Sequence, residues 1–302
     1  QHLDLCSTLT QNMCNFTLKE NGTAPEMKNT VYTLVFGSVM VLGLPLNAVS
    51  LWILLRRHSL NSPSAVFMVN LAISDLLLVI SLPMRVYFYA TGTWPLGSMA
   101  CIWITMIFRN NIRSSAIFIT FISMDRLLAV VFPLRSRHLR SPSNAWKAVS
   151  FIWVFVLVMN IPESVFFKRF LDNNNVTTCF EFQAQIKSPL KYFQSMLVFI
   201  LLVVNIVCTA LVSWTLNRRL NESARISNNV NVMLIFAMNL MMFIIFFFPI
   251  SIVFMVENWR SYLMPLLCLA SVNCCLDPLL YYFSFDGFWK RQEDVDSSLA
   301  RE

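Results

Sequence analysis

Two arginines stand four residues apart in the segment FRNNIRSSAIF, residues 108–118, within a long apolar stretch of the chain. Residues at this spacing share one face of a helix, so Arg109 and Arg113 would project in the same direction. A guanidinium group binds phosphate or carboxylate through two parallel hydrogen bonds. No acidic residue in the neighbouring apolar segments obviously neutralises the pair, and Glu163 is the best candidate. The spacing therefore predicts a binding site for an anion.

A third cation, Arg85, lies in the apolar segment LPMRVYFY. We predict that these cations and their neighbours line one ligand pocket. Its predicted members are Arg85, Arg109, Arg113, Tyr89, Phe108, Lys168 and Lys191. Two alternatives stay open: Glu163 or backbone carbonyls could satisfy Arg109 or Arg113 and make them links between helices. Arg85 could instead extend its charge to an aqueous interface.

A second group of polar side chains interrupts the apolar segments, with Asp75 and Asp277 among them. Ionisable residues in such segments are costly and usually mark a functional site. Acids and amides buried together can hold a cation, or form a hydrogen-bond network that rearranges between two states. For Asn205 and Asn239 we favour the simpler interpretation, in which the amide links two helices.

The elements that must position these residues are membrane-spanning helices. Of the 302 residues, 57% are hydrophobic and 13% are charged, whereas a soluble protein carries about 25% charged residues. A span needs roughly 20 mainly apolar residues. Seven such segments are predicted, at residues 29–55, 63–90, 99–131, 146–167, 188–216, 228–256 and 260–284. No segment alternates in the way of a membrane β-strand, so the predicted fold is an all-α seven-transmembrane helix bundle.

Basic residues determine the predicted orientation of the bundle. Arginine and lysine gather in the loops after the first, third and fifth segments and after the seventh, and the positive-inside rule places these loops in the cytoplasm. The N-terminus is then extracellular. Three acceptor sequences for N-glycosylation, at Asn15, Asn21 and Asn175, fall on the same side. The net charge of +7 therefore indicates topology rather than nucleic-acid binding.

Half of the eight cysteines fall in the predicted extracellular segments, where disulfides form. These are Cys6, Cys14, Cys101 and Cys179. Four cysteines allow three pairings, and the residues alone do not choose among them. The other cysteines lie within helices, where we interpret them as core-filling thiols.

Five motifs follow one another in order along the apolar segments. They are GLPLN, NLAISD, WPLGSMAC, SMDRLLAVVFPLRSRHLRSP and NCCLDPLLYYF. Together they resemble the class A (rhodopsin-like) G-protein-coupled receptors over essentially the whole chain. Within that family the chain is most similar to the purinergic, protease-activated and lysophospholipid receptor branch. Its fragments PLRSRHLRSP and DPLLYYFSFDGF are nearest to the lysophosphatidic-acid receptors, and to their fifth subtype in particular.

The resemblance implies roles for the buried polar residues. Arg126 would pair with Asp125 in the inactive receptor and face the G protein in the active one. A polar cluster would bind a sodium ion in the inactive state, and a switch would lie in the seventh helix. The cluster would consist of Asp75, Asn111, Ser115, Asn273 and Asp277, and the switch of Asp277, Pro278 and Tyr281.

The resemblance also implies how the ends of the bundle are organised. A disulfide would join Cys101 to Cys179, which leaves Cys6 and Cys14 to pair with each other. A short amphipathic helix would begin in FDGFWKR, residues 285–291, along the inner leaflet. The predicted domains are an extracellular glycosylated segment, the bundle, and a cytoplasmic helix and tail, at residues 1–28, 29–284 and 285–302.

Several positions depart from the family pattern. Leu127 stands in place of the usual tyrosine after the Asp-Arg pair, and Thr209 where a switch tyrosine is expected. Phe247 replaces the tryptophan two residues before the sixth-helix proline, and the fifth segment lacks its proline. We expect these changes to affect activation rather than the fold. Phe108 stands where receptors for amines have an aspartate, so an amine ligand is not expected.

The predicted function is a plasma-membrane receptor that signals through a heterotrimeric G protein, with arrestin as a further partner. Its ligand is expected to be an anion such as a lysophospholipid, its head group held by Arg85 and Arg109. A peptide- or acidic-metabolite-activated receptor, and a constitutively active or scaffolding receptor, stay open as alternatives. No nucleophile–base pair or metal-ligand spacing indicates an enzyme, and no cofactor besides the sodium ion is expected.

Overall fold

The computed structural model describes most of the chain, with gaps in the loops and at the ends. The backbone is described for residues 2–57, 60, 62–174, 179–180, 190–219, 226–256 and 262–299. Side-chain surroundings are described for residues 27–56, 60, 62–169, 171–172, 179–180, 192–218, 232–256 and 262–281. The side chains of six predicted site residues lie outside the described ranges, namely Cys6, Cys14, Asn15, Asn21, Asn175 and Lys191.

The described backbone is helical apart from short connections. The helices are α1 His2–Arg57, α2 Pro63–Thr91, α3 Gly97–Val131, α4 Pro142–Asn174, α5 Leu190–Arg219, α6 Ile226–Met242, α7 Phe248–Met255 and α8 Leu263–Leu299. A π-helical turn, Phe243–Phe247, joins α6 to α7, so these three pieces form one continuous rod.

Seven helical segments in the described part of the chain are long and apolar enough to cross a membrane. They are Met27–Arg56, Pro63–Thr91, Gly97–Val131, Pro142–Arg169, Tyr192–Arg218, Val232–Met255 and Leu263–Tyr281. Each overlaps one of the seven predicted segments. The prediction of a seven-transmembrane helix bundle is therefore confirmed.

Local sequence explains where α2 begins and ends. Pro63 occupies the first turn, where its missing N–H costs nothing. At the other end Gly92 takes a left-handed conformation, with φ of 68°, and its N–H donates to the Phe88 carbonyl at 2.8 Å. This is the usual glycine cap. It fixes the outgoing direction of the chain towards Trp94 and the start of α3.

Small residues and amides hold the helices together. A Cβ added at Gly43 in α1 would lie 3.0 Å from the Cys274 sulfur, so a larger residue there would have to displace the Cys274 side chain of α8. The Asn47 amide donates to the Cys274 carbonyl at 2.7 Å. The amides of Asn205 and Asn239 donate to Thr120 and Ser123 on α3, at 2.8 and 2.7 Å. The interpretation of these two asparagines as links between helices is confirmed.

Both ends of the bundle run on as helix. α1 begins at His2, well before its membrane-spanning part, and α8 continues to Leu299. α8 is unbroken from Leu263 to Leu299, so residues 285–291 continue it and do not begin the separate helix that was expected. The domain limits at residues 28 and 284 stay predictions.

A disulfide ties α3 to the loop after α4. Cys101, in the first turns of α3, is bonded to Cys179 with a Cα–Cα distance of 5.8 Å. The predicted Cys101–Cys179 bridge is confirmed. It places the next residue, Phe180, against the helices at one end of the bundle, which is the predicted extracellular end.

Candidate functional site

Arg85 lies on α2 and is completely buried, with 0% of its surface exposed. Its guanidinium carbon is 4.1 Å from the centre of the Phe108 ring and 4.2 Å from that of Phe180, with the Phe36 ring at 5.9 Å. The group therefore lies between aromatic faces, which attract cations electrostatically. The alternative in which Arg85 extends to an aqueous interface is wrong.

Phe180 reaches this position at a conformational cost. Its φ is 64°, a left-handed backbone conformation that bulky residues rarely adopt. Such strain costs about 1–3 kcal/mol and persists only where the surroundings enforce it. The adjoining disulfide and an edge-on contact with Trp94, at 5.3 Å between ring centres, enforce it here. Strain of this kind clusters at functional sites, which makes Phe180 a candidate member of one.

The Arg85 guanidinium makes no hydrogen bond within the described part of the chain. All three of its nitrogens are buried and lack an acceptor there. The rings supply attraction but no acceptor oxygen, and a buried charged donor without an acceptor costs substantial free energy. An anion with oxygens in the plane of the guanidinium would satisfy it.

Tyr89 completes the wall around Arg85. Its ring stacks on Phe36 at 5.8 Å and lies 6.4 Å from Phe180. Its hydroxyl donates to the Met264 sulfur at 3.7 Å, which joins α2 to α8. The structure thus brings three predicted ligand residues together, namely Arg85, Tyr89 and Phe108. We call these three residues, with Phe36 and Phe180, the arginine cage.

Arg109 and Arg113 are not unpaired, contrary to the expectation from sequence. Both form ion pairs with Glu163 on α4. The Arg109 Nη1 lies 3.0 Å from one carboxylate oxygen, and the Arg113 Nη2 contacts the other. Arg113 also donates to Gln194 on α5 and to Asn160 on α4, each at 2.6 Å. The physical reason is helix packing: α4 lies against the face of α3 that carries both arginines.

The two arginines consequently differ in what they can do. The Arg113 side chain is 5% exposed and its donors are used by three partners, so it links α3, α4 and α5. For Arg113 the second interpretation from the sequence, an arginine that links helices, is therefore correct. The Arg109 side chain is 21% exposed, and its charge is close enough to Arg85 for the two to repel each other. Arg109 keeps its place as a candidate ligand contact.

Other predicted pocket residues are placed differently. Lys168, near the end of α4, is exposed, and Lys191 lies outside the described side chains. Sequence reasoning missed Phe180 and Asn160. Phe180 could have been found because it follows the bridged Cys179 directly. Asn160 could have been found because it lies one helical turn before Glu163 and so shares its face.

The predicted polar cluster is assembled in the centre of the bundle. Asn111 donates to Asp75 at 2.9 Å and to Ser115 at 3.2 Å, which joins α2 to α3. Asn273 donates to Asp277 at 2.8 Å within α8. Both carboxyl groups are completely buried and close enough to interact. The five residues therefore come together as one site.

The cluster has the donor set for a small hard cation. Three of its buried oxygens, and the nearby Tyr281 hydroxyl, lack a described partner; the three are Asp75 Oδ2, Asn273 Oδ1 and Asp277 Oδ1. Carboxylate, amide and hydroxyl oxygens are the ligands that hard cations prefer. Two neighbouring buried carboxylates also repel each other unless a proton or a cation lies between them. The residues fit a sodium ion.

Asp125 does not pair with Arg126 in this structure. Its carboxylate accepts hydrogen bonds from Ser64 on α2 and from Arg140, whose Nε lies 2.8 Å away. The buried Nε of Arg126 lacks a described acceptor. Consecutive helical residues point in different directions, so Arg140 from the loop after α3 reaches the acid and Arg126 does not. The expected ion pair is corrected to Asp125–Arg140.

Apolar packing closes the same end of the bundle. Leu127, one of the departures from the family pattern, packs on a cluster between α3, α5 and α6. The buried members of this cluster are Cys208, Val212, Leu216 and Phe236. Thr209 donates to the Asn205 carbonyl of its own helix at 2.8 Å. No polar side chain from α5 meets Arg126 among the described contacts.

Comparison with known proteins agrees with this architecture. The family model described as 7 transmembrane receptor (rhodopsin family) matches residues 46–281. Lysophosphatidic acid receptor 6 of Gallus gallus is 33% identical over 286 residues, covering 87% of this chain and 93% of the relative. Lysophosphatidic acid receptor 4 of Homo sapiens is 34% identical over 286 residues, covering 88% and 76%.

Lysophosphatidic acid receptor 5 of Bos taurus is 34% identical over 283 residues, covering 85% of this chain and 77% of the relative. Identities this similar do not single out one subtype. The family match at residues 46–281 includes Arg85, Phe108 and the whole polar cluster. With seven spanning helices, the α3 disulfide and a family match over most of its length, the chain belongs to the rhodopsin family of seven-transmembrane receptors.

Proposed function

We propose that this protein is a receptor for a lysophospholipid and that the phosphate of the ligand binds at Arg85. The observation that carries the proposal is the arginine cage: a fully buried guanidinium between aromatic rings, without a described hydrogen-bond acceptor. A phosphate supplies oxygens in the geometry that guanidinium prefers. The partly exposed Arg109 adds a second positive charge nearby.

The relatives support this class of ligand. Those at 33–34% identity are named as lysophosphatidic acid receptors. The apolar character of the spans gives the acyl chain of a lipid a compatible environment. We therefore favour a lysophospholipid over a peptide or an acidic metabolite, and over a scaffolding role.

Signalling would couple ligand binding at one end of the bundle to G-protein binding at the other. With the N-terminus outside the cell, the arginine cage lies in the extracellular half of the bundle and Arg126 lies at the cytoplasmic end. The agonist binds the active bundle better than the inactive one and shifts the population towards it. That state opens the Asp125–Arg126 end to a heterotrimeric G protein and, after it, to arrestin. Asp277, Pro278 and Tyr281 form the switch between the two ends.

A lipid pair that differs only in the phosphate tests the ligand proposal. Cells that express the chain are expected to activate G proteins on addition of lysophosphatidic acid. The monoacylglycerol with the same acyl chain is expected to give no response, because it carries no anion for Arg85. Untransfected cells provide the background. A response to both lipids, or to neither, would overturn the proposal.

We also propose that the polar cluster holds a sodium ion in the inactive receptor. Asp75, Asp277 and Asn273 would supply oxygens, and the ion would supply the positive charge that balances the two carboxylates. Sodium chloride is expected to weaken agonist binding about fivefold relative to choline chloride, a typical allosteric coupling. Asp75→Asn removes one carboxylate and is expected to abolish this difference in a radioligand assay. A sodium effect that persists in this variant would contradict the site.

A further inference from the structure

Three arginines and one glutamate set the charge of the ligand pocket. Arg85 lies in its cage, while Arg109 and Arg113 share the single carboxylate of Glu163. Three positive charges and one negative charge leave two positive charges in the described part of the pocket. A phosphate monoester carries about −1.5 to −2 at neutral pH, and a phosphodiester carries one negative charge.

Glu163 is placed so that its charge affects the whole pocket. One carboxylate oxygen receives Arg109 at 3.0 Å and the other receives Arg113, and the side chain is 12% exposed. Charges interact more strongly in such a partly buried site than in water. Arg109 in turn is within electrostatic reach of Arg85. A change of charge at Glu163 therefore alters the electrostatic potential at Arg85, where the head group would bind.

We propose that Glu163 is a specificity-determining residue that sets the charge of the head group the pocket accepts. By cancelling one of the three guanidinium charges, Glu163 limits how strongly the pocket prefers a phosphate monoester over a singly charged head group. This inference rests on the proposed function and goes beyond it, since it assigns a role to a residue that the ligand does not need to touch. Specificity is a difference between two affinities, so it can change when neither contact at Arg85 changes.

Substitutions move the pocket charge in known steps. E163Q leaves three positive charges, R109Q leaves one, and the double variant R109Q/E163Q restores two. The quantity to measure is the potency ratio of two probes with the same acyl chain, lysophosphatidic acid and its phosphate methyl ester. We expect E163Q to increase the preference for the monoester about tenfold and R109Q to decrease it about tenfold. The double variant is expected to return to within about threefold of the wild type.

A purely structural role for Glu163 gives a different result. E163Q would then lower the potency of both probes equally, and the double variant would not restore the ratio, which overturns the inference. R109Q and R109Q/E163Q differ only at Glu163, so this comparison decides the question even where E163Q does not reach the cell surface. If the wild type responds and the potency ratio of the two probes is the same in every variant, the inference is refuted and the proposed function stands. A wild type that responds to neither probe refutes the proposed function and the inference with it.

Discussion

Replacing Arg85 by glutamine is expected to weaken lysophosphatidic acid binding by at least about 30-fold. Loss of one partner of a buried, hydrogen-bonded charge pair costs about 2–5 kcal/mol, and each 1.4 kcal/mol is about a factor of ten in affinity. Glutamine is neutral and lacks the planar fork that the Phe108 and Phe180 rings hold in place. Competition binding to membranes from expressing cells measures the loss.

The same substitution should not weaken the fold. Because the Arg85 nitrogens have no described acceptor, removing them also removes an unfavourable buried charge. Thermal unfolding of the ligand-free variant is therefore expected at the wild-type temperature or above it. Arg218→Gln is a matched control, because Arg218 also lies over an aromatic ring, that of Trp214 at 4.1 Å. Equal losses of binding in both variants would rule out a specific role for Arg85.

Arg113→Leu is expected to have the opposite profile, with a large loss of stability. The substitution leaves Gln194, Asn160 and one oxygen of Glu163 without their buried donor. Breaking such a buried pair costs about 3–5 kcal/mol, much of it from the partners left behind. A clear drop in the temperature of half-unfolding in detergent, together with lower surface expression, is the expected observation.

Arg109→Leu provides the comparison for this effect. Arg109 is more exposed, and its loss leaves Glu163 paired with Arg113. We expect a smaller drop in stability than for Arg113→Leu. If the two leucine variants unfold at the same temperature, Arg113 is not the link between α3, α4 and α5.

The seven spans could be predicted from the sequence because each depends on information local to the chain. A span depends on its own run of apolar residues. The bridge followed from the motif around Cys101 and from the family resemblance. The polar cluster could be predicted for the same reason, since Asp75 and Asp277 lie within strong motifs.

The partners of the arginines could not be read from spacing. The four-residue spacing places Arg109 and Arg113 on the same face of α3. Glu163 contacts both only because α4 packs against that face. Likewise Arg85 could have extended to water. The chain after α4 prevents this, because the disulfide brings Phe180 over the guanidinium. These contacts join residues far apart in sequence, and no periodicity encodes them.

The end of α3 shows the same limit for two adjacent residues. The adjacent letters of Asp125 and Arg126 invite an ion pair between neighbours, and the family pattern implies one. In the folded chain the acid meets Arg140, fifteen residues later. The loop after α3 returns to the helix, where the Ser136 hydroxyl donates to the Leu128 carbonyl at 3.0 Å and the Arg140 backbone N–H donates to the Ser136 carbonyl at 2.9 Å. Adjacency in sequence is a poor guide to contact on a helix.

The π-helical turn at Phe243–Phe247 has a consequence for aligning this chain with other receptors. A π turn holds one residue more than an α turn, and one residue corresponds to about 100° of rotation around a helix. Counting backwards from Pro249 as though the rod were uniform therefore assigns residues before Phe243 to the wrong face. Asn239, which points at Ser123 on α3, would be counted one position out of register. Position-by-position transfer of residue roles along this rod must be done separately on each side of the turn.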